Sequence, residues 1–187
     1  MEYDLVFEGG GAKGIVFVGA IQELEARGHT VGRVIGASAG AITAALLAAG
    51  YTSESVLAVV NERLPDGTPR FAAFMDIPAR FDRRTIQNSL NYQVFRAVDL
   101  PFIPERIEGK IDQKIMDSLL SIPAYRQYFS FVERGGLYAG EEFLLWIKEK
   151  LNQARRGLGS TTLEEFHRRT GRDLSVIASD TTGAEML

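Results

Sequence analysis

Six residues of almost bare backbone, 9–14 (GGGAKG), stand between a strand-like run and a helical pattern. The run before them, residues 3–7 (YDLVF), is nearly continuous in apolar side chains, as is typical of a parallel strand buried on both faces. After them, apolar side chains recur at the spacing of an amphipathic helix: Ile15, Val18, Ile21 and Leu24. A strand, a glycine loop and a helix that ends near Gly28 indicate the start of an α/β fold.

The same order repeats at once. Residues 32–38 (GRVIGAS) predict a second buried strand, and residues 39–50 (AGAITAALLAAG) predict a helix of mostly small side chains. A βαβα order implies parallel strands with right-handed crossovers. We therefore expect an α/β fold in which a mostly parallel sheet is sandwiched by helices.

Further elements are predicted on both sides of the central part of the chain. Apolar periodicity indicates helices over 53–64, capped by Thr52 or Ser53, over 140–154 and over 161–171, and a third strand over 173–179. A strand so close to the C-terminus makes the sheet look unfinished. We expect one domain over 1–187 that is truncated at its C-terminus.

The middle of the chain has a different composition. All six prolines lie within residues 65–123, and ten of the aromatic residues lie within 71–131. We treat residues 65–130 as an irregular insertion with two open interpretations. It is either a loop-rich part of the core or an apolar cover that receives an acyl chain or touches a membrane.

Composition excludes several classes of function. The net charge is −3, which gives no reason to expect a nucleic-acid partner, and the absence of cysteine rules out disulfides and thiolate chemistry. The N-terminus lacks a basic signal-peptide region, and residues 39–50 are too short to span a bilayer. We expect a cytoplasmic protein without cofactor or metal, for which peripheral membrane contact or export as an effector stays open.

The segment Gly36–Gly40 (GASAG) matches G-x-S-x-G, in which a strand turns sharply into a helix and exposes the central serine. The pattern alone is weak, but here a predicted strand precedes it and a predicted helix follows it. We predict that Ser38 is a nucleophile. The alternative is an idle serine that caps the helix.

Three uses of the glycine loop have to be compared. Its letters match G-x-G-x-x-G of dinucleotide sites, but the second strand ends in Gly36 and Ala37 instead of the acid that binds a ribose. The P-loop pattern fails because Ile15 follows Gly14. The use that remains is an oxyanion hole, in which backbone N–H groups and a helix N-terminus face the acyl intermediate. Lys13 could add positive charge.

A serine nucleophile normally relies on a histidine base. His29 falls in a helix-to-strand turn at the opposite edge of the sheet, and His167 falls on a polar helix face. Neither suits a Ser-His-Asp triad, so a carboxylate that acts directly on Ser38 is the expected base.

Residues 8–51 resemble the patatin-like phospholipases, which pair a G-G-G-x-[RK]-G loop with a G-x-S-x-G turn some two dozen residues later. Residues 136–151 and 175–187 are also similar to family segments. The resemblance implies an acyl hydrolase of the phospholipase A or lysophospholipase type, with a Ser-Asp dyad and no metal. It assigns Ser38 as nucleophile and assigns the oxyanion hole to a run of six residues: Gly9, Gly10, Gly11, Ala12, Lys13 and Gly14.

The sequence departs from the family at the dyad aspartate, which belongs to an Asp-Gly-Gly or Asp-Gly-Ala motif. Asp66 precedes a glycine but comes far too early, and Asp180 lies at a strand end in a segment similar to a non-catalytic family motif. We expect the base beyond Leu187, with Asp180 as the weaker candidate. The alternatives are an inactive or regulated lipid-binding domain and, less favoured, a nucleotide-binding module.

Overall fold

The computed structural model describes residues 1–96, 114–180 and 185–186. The chain divides into two compact units, one formed by Met1–Ala72 with Phe143–Leu187 and the other by Ala73–Glu142.

The strands are β1 (Glu2–Phe7), β2 (Thr30–Ala37), β3 (Leu174–Ile177), β4 (Ser179–Asp180) and β5 (Glu185–Met186). The helices are α1 (Val16–Ala26), α2 (Ala39–Ala49), α3 (Ser53–Val60), α4 (Arg83–Asn88), α5 (Leu90–Arg96), α6 (described over 114–121), α7 (Pro123–Arg134), α8 (Glu141–Ala154) and α9 (Leu163–Thr170). Short 3-10 turns cover Gly11–Ile15, Arg70–Phe74 and Leu158–Ser160.

The sheet of the first unit has the order β1-β2-β3, and both pairs of strands are parallel. The register places Phe7 opposite Gly36, and Gly36 opposite Val176. All three strands therefore end at one edge, where the glycine loop and the β2–α2 turn both leave the sheet. This confirms the predicted α/β fold with a parallel sheet.

The predicted burial of β1 on both faces is wrong. Phe7 is its one buried residue, whereas Tyr3 and Val6 are exposed. β1 is an edge strand of the β1-β2-β3 sheet, and Val6 points to the face opposite Phe7 because side chains alternate along a strand. An apolar run of five residues does not reveal which face another element covers.

The third helix ends earlier than the periodicity predicts. α3 stops at Val60 instead of residue 64, because the following residues fold back on themselves. The Leu64 N–H donates to Thr68 O at 2.8 Å, and the Arg70 N–H donates to Glu62 O at 2.9 Å. The Pro65–Gly67 turn thus competes with the helix and terminates it. The Thr52 side chain accepts a bond from the Ser55 N–H, as expected for a helix cap.

The core of the first unit forms around α2 and β2. Small and apolar side chains of α2 are buried next to Val34 of the central strand: Ala44, Leu46, Leu47 and Ala48. Trp146 of α8 is also buried and packs edge-on against Phe71, with 5.6 Å between the ring centroids. Burial of these side chains is the main source of stability for the sheet edge that carries the glycine loop.

A charged pair lies inside this unit. Lys150 is buried and contacts the carboxylate of Glu62, which also accepts a hydrogen bond of 3.1 Å from Trp146 Nε1. The backbone carbonyl of Lys150 accepts a bond of 2.8 Å from the Tyr51 hydroxyl. Glu62 thereby joins the segment after α3 to α8, although 88 residues separate it from Lys150.

The second unit is helical and has its own core, formed by Phe81, Ile86, Tyr92, Met116, Leu120 and Phe129. It contains most of the segment 65–130, whose described part includes α4, α5, α6 and most of α7. Pro101, Phe102 and Pro104 of that prediction lie outside the described residues.

One carboxylate, that of Asp76, holds distant segments of the second unit together. Asp76 accepts hydrogen bonds from the N–H groups of Gly140, Glu141 and Glu142, at 2.8, 3.0 and 3.3 Å. Burial alone raises the pKa of Asp76, but these N–H donors outweigh it, so the pKa lies below its usual value. Asp76 is therefore a negative cap at the first turn of α8.

We predict that Glu62→Gln lowers the free energy of unfolding by about 2–3 kcal/mol, because the buried Lys150 ammonium loses its nearest counter-charge and keeps only the exposed Glu149 carboxylate at 3.8 Å. Urea denaturation of both proteins measures the difference. The control is Glu23→Gln, which removes the exposed pair between Glu23 and Arg27 and should change stability by less than about 1 kcal/mol. Equal effects of the two substitutions would contradict the structural role of Glu62.

We also predict that the contribution of Asp76 to stability depends on pH. The pKa of Asp76 is lower in the folded than in the unfolded chain, so its contribution is complete above about pH 5 and is lost as pH falls below about 4. Urea denaturation between pH 7 and 3 should show a weaker pH dependence for Asp76→Asn. The control Asp117→Asn removes an exposed carboxylate of α6 and should retain the pH dependence of the unsubstituted chain.

Candidate active site

Ser38 occupies the sharp turn between the central strand and α2. Its φ is +51° and its ψ is −122°, and it is the one non-glycine residue with positive φ among residues 1–96, 114–180 and 185–186. Such a backbone is strained for a residue with a side chain and costs about 1–3 kcal/mol. The strain indicates that the surrounding structure holds Ser38 in place.

Two glycines make this turn possible. A Cβ atom on Gly36 would lie 2.3 Å from the carbonyl oxygen of Gly40, and one on Gly40 would lie 2.4 Å from the carbonyl oxygen of Phe7. Both residues are buried. The first turn of α2 therefore lies directly against the backbone at the end of β1, and only glycine fits at either position.

The Ser38 side chain is exposed and does not cap the helix. Ser38 is the N-cap residue of α2, but its hydroxyl makes no capping hydrogen bond. The alternative of an idle capping serine therefore does not describe this turn. The hydroxyl lies at the positive end of an eleven-residue helix, where the helix dipole favours a negatively charged oxygen.

The glycine loop lies beside the turn. A Cβ on Gly9 would lie 3.4 Å from the Cβ of Ser38, and one on Gly14 would lie 3.1 Å from the Cβ of Ala39. Residues 9 and 14 thus contact the turn from the two ends of the loop. The structure brings the two motifs together, as their sequence positions at parallel strand ends predict.

Several N–H groups of the loop have no partner in the described part of the chain. The N–H of Gly10 donates no backbone bond there, and Gly11 begins the 3-10 turn, where the first N–H groups lack acceptors. The Lys13 N–H is instead bonded to Gly10 O at 3.1 Å. Gly10 and Gly11 therefore offer free donors, whereas the backbone of Lys13 does not.

Two further positions complete the loop. The backbone of Ala12 forms part of the 3-10 turn, and the side chain of Lys13 is exposed. Lys13 forms no salt bridge with another residue in the described part of the chain, so its ammonium is free to contribute charge near the loop.

The backbone N–H of Ala39 is a further hydrogen-bond donor at the turn, which we did not predict from the sequence. Ala39 is the first residue of α2, so its N–H has no acceptor within the helix. The signal was available, because the residue after the serine in a G-x-S-x-G turn commonly donates to an oxyanion.

The two histidines lie away from the turn. His29 precedes β2 at the opposite edge of the sheet and packs against the ring of Tyr3, with 5.1 Å between centroids. His167 Nδ1 lies 3.0 Å from a carboxylate oxygen of Asp173, near the end of α9. Neither arrangement places an imidazole beside Ser38.

The two aspartates considered as bases differ in position. Asp66 lies in the turn after α3, where the N–H of Thr68 donates to its carboxylate at 2.9 Å and holds the pKa of Asp66 below its usual value. Asp180 ends β4, three residues after Ile177, which pairs with Ala37. The backbone of Asp180 is therefore at the same end of the sheet as Ser38.

The described residues contain neither a cluster of metal ligands nor a membrane-spanning helix. No group of three or more His, Cys, Asp or Glu in that part of the chain is arranged to hold a metal ion. Among the same residues, no helix has the length and apolar character needed to cross a bilayer.

Comparison with known proteins gives three similarities. A family model described as patatin-like phospholipase matches residues 5–184. The uncharacterized protein YqhO of Bacillus subtilis (strain 168) is 52% identical over 62 residues, which are 33% of this chain and 21% of that protein. The crystal structure of VipD from Legionella pneumophila aligns with 98% of this chain and 38% of its own, at 24% identity and a TM-score of 0.44. The matched part is well under two thirds of either protein.

We predict that Gly36→Ala and Gly40→Ala each destabilise the chain by about 3 kcal/mol or more, because the new methyl group overlaps backbone atoms that cannot move freely. The matched control is Gly19→Ala in α1, where the added Cβ meets no atom within 4 Å. That substitution should stabilise the chain by about 0.5–1 kcal/mol through helix propensity. Urea denaturation measures all three, and a neutral Gly40→Ala would contradict the close approach.

Proposed function

This chain belongs to the patatin-like phospholipase family, whose model matches residues 5–184, and from that premise we propose that it is a serine hydrolase of lipid esters. The substrate class is phospholipids or related lipids, and the reaction is of the phospholipase A or lysophospholipase type. No cofactor takes part in the proposed reaction.

The conformation of Ser38 is the observation that carries this proposal. Its strained φ of +51° and its hydroxyl, which is exposed and makes no capping bond, fit a residue held for reaction. A structural turn at this position would be served equally well by glycine, which adopts positive φ without strain.

In the proposed reaction, Ser38 Oγ attacks the ester carbonyl carbon and loses its proton to a carboxylate. A C–O bond forms, and the carbonyl oxygen becomes an oxyanion that accepts hydrogen bonds from the free N–H groups of Gly10 and Gly11. The intermediate collapses, the carboxylic acid gives its proton to the leaving alcohol, and the acyl group stays on Ser38. Water, which gives a proton to the same carboxylate, then attacks the acyl carbon; the bond between this carbon and Ser38 Oγ breaks, the proton returns to Oγ, and the fatty acid leaves.

Electrostatics supports an oxyanion at this place. The N-terminus of α2 supplies partial positive charge next to Ser38, and the N–H of Ala39 is a third donor within the same turn. The exposed ammonium of Lys13 adds a positive charge close to the loop. Each of these groups stabilises negative charge that exists only after attack, and this difference between intermediate and substrate is what accelerates a reaction.

The proposed dyad also requires a carboxylate base that takes the proton of Ser38. The Ser38 hydroxyl makes no hydrogen bond with any residue in the described ranges. We propose an aspartate beyond Leu187, and Asp180 is the alternative within this sequence. The two are distinguished by Asp180→Asn, with Asp66→Asn as control. Loss of hydrolysis in Asp180→Asn alone, with unchanged thermal stability, would assign the base to Asp180.

The absence of a described partner for the hydroxyl also favours a second candidate function. A patatin-like domain without an active dyad would bind lipid or regulate another protein without hydrolysis. Lipid binding with no serine reactivity would identify it. A nucleotide-binding module is less well supported, because the glycine loop contacts Ser38 and no acid ends the second strand.

We predict that Ser38→Ala in the full-length protein reduces hydrolysis of p-nitrophenyl butyrate by about 1,000-fold or more and abolishes labelling by a fluorophosphonate probe. The control Ser121→Ala removes an exposed hydroxyl of the second unit and should keep both activities. The nucleophile assignment is wrong if Ser38→Ala still labels, or if the unsubstituted protein does not label at all.

A further inference from the structure

Two neighbouring helices of the second unit expose apolar side chains to solvent. On α5, Leu90 and Val94 are 58% and 61% exposed, and on α7, Tyr128 and Phe131 are 54% and 56% exposed. Leu90 and Val94 are four residues apart, and Tyr128 and Phe131 are three apart, so each pair shares one helix face. Together with Val132 they form what we call the α5–α7 patch.

The patch is not the buried side of these helices. α7 places Phe129 in the core, where its ring centroid lies 4.7 Å from that of Phe81, and α5 places Tyr92 in the same core. α5 is therefore apolar on two faces, and the apolar face of α7 extends from its buried residues into solvent. A surface helix that meets only water normally carries polar side chains on its outer face.

The patch contains a groove of fixed shape. Its walls come from both helices: Leu90, Asn91, Val94, Tyr125, Tyr128 and Val132. Glu133 of α7 accepts bonds from the N–H groups of Leu90 and Asn91, both at 3.0 Å, and from Asn91 Nδ2 at 2.7 Å. Glu133 thus anchors the first turn of α5 to α7.

The side chains that line the groove carry no charge, and its polar atoms suit an interface between water and lipid. Its polar side-chain atoms are the Tyr125 and Tyr128 hydroxyls and the Asn91 amide. Tyrosine has an apolar ring and a polar end, which is why it is enriched where hydrocarbon meets lipid headgroups.

The segment that leads into and forms α5, residues 80–96, is positively charged, although the protein as a whole is acidic. Residues 80–96 contain four arginines and one acid, against a net charge of −3 for the chain. That acid, Asp82, already accepts hydrogen bonds from the Thr85 N–H and hydroxyl. Arg80, Arg83 and Arg84 are exposed on and just before α4, which packs against α5.

We propose that the α5–α7 patch docks on the surface of an anionic phospholipid bilayer, an inference that rests on the proposed function. The family match supports a phospholipid substrate. Long-chain phospholipids are presented to a hydrolase in bilayers, so a lipid surface is the partner that the proposed function requires. Apolar side chains insert below the headgroups, and adjoining arginines attract anionic lipids. A helix of another protein would explain the apolar side chains, but it would not call for the cationic flank.

The test is co-sedimentation of the full-length protein with vesicles of phosphatidylcholine and phosphatidylglycerol. We expect the unsubstituted protein to bind. The double variant Val94→Ser with Phe131→Ser should bind more weakly by a factor of about ten or more, because two apolar side chains are no longer buried in the lipid. The matched control is Leu145→Ser with Leu163→Ser, which changes residues that are 63% and 57% exposed in the first unit. That control should bind like the unsubstituted protein.

A second arm tests the electrostatic part. Vesicles of phosphatidylcholine alone should bind more weakly than the mixed vesicles, and Arg83→Gln with Arg84→Gln should weaken binding to the mixed vesicles by about ten-fold. Absence of vesicle binding by the unsubstituted protein, or equal binding by the patch variant, overturns the proposal. A dimer that the patch variant abolishes, without vesicle binding, would identify a second copy of the chain as the occupant and also overturn it.

These variants distinguish a wrong docking surface from a wrong proposed function. Ser38→Ala should bind vesicles like the unsubstituted protein, and the patch variant should hydrolyse p-nitrophenyl butyrate at the unsubstituted rate while losing activity on vesicles. If Ser38→Ala leaves hydrolysis intact, the proposed function is wrong whatever the vesicles show. If hydrolysis depends on Ser38 but the patch variant hydrolyses vesicle lipid at the unsubstituted rate, only the docking proposal is wrong.

Discussion

The close approach of α2 to the ends of the strands is the contact on which the site depends. Because Gly40 has no side chain, the first turn of α2 lies against the carbonyl oxygens of Phe7 and Glu8. β1 delivers the glycine loop at that point, so the same contact sets the loop beside Ser38. It also forces the chain to turn within one residue, and the positive φ of Ser38 is the result.

The strain at Ser38 has to be balanced by packing elsewhere, at about 1–3 kcal/mol. The buried side chains of α2 supply far more than this, since each large one stabilises the fold by about 1.5–3 kcal/mol. The helix can therefore hold an exposed, unbonded hydroxyl at its N-terminus without loss of the fold. The same packing leaves the N–H groups of Gly10, Gly11 and Ala39, at one edge of the sheet, without acceptors in the described part of the chain.

The sequence predicted the turn at Ser38 better than it predicted the long-range contacts, because the determinants of the turn are local. The spacing of Gly36, Ser38 and Gly40 between a strand and a helix specifies the turn without distant information. The contacts that it missed join residues far apart, such as Asp76 with the start of α8 and Glu62 with Lys150. The exposure of β1 was not predicted for the same reason, because an apolar run does not indicate which other elements pack against it.

The two units carry different kinds of constraint. At the turn, an added methyl group on Gly36 or Gly40 would overlap backbone atoms, so the backbone geometry around Ser38 tolerates almost no change. The α5–α7 patch consists of side chains that are more than half exposed, apart from Val132, so their replacement leaves little stability at risk. A hydrolase of aggregated lipid needs both properties, because chemistry requires fixed distances whereas a bilayer presents a fluid surface. In the proposed enzyme, chemistry and attachment can therefore change independently, since no residue of the patch belongs to the glycine loop or its turn.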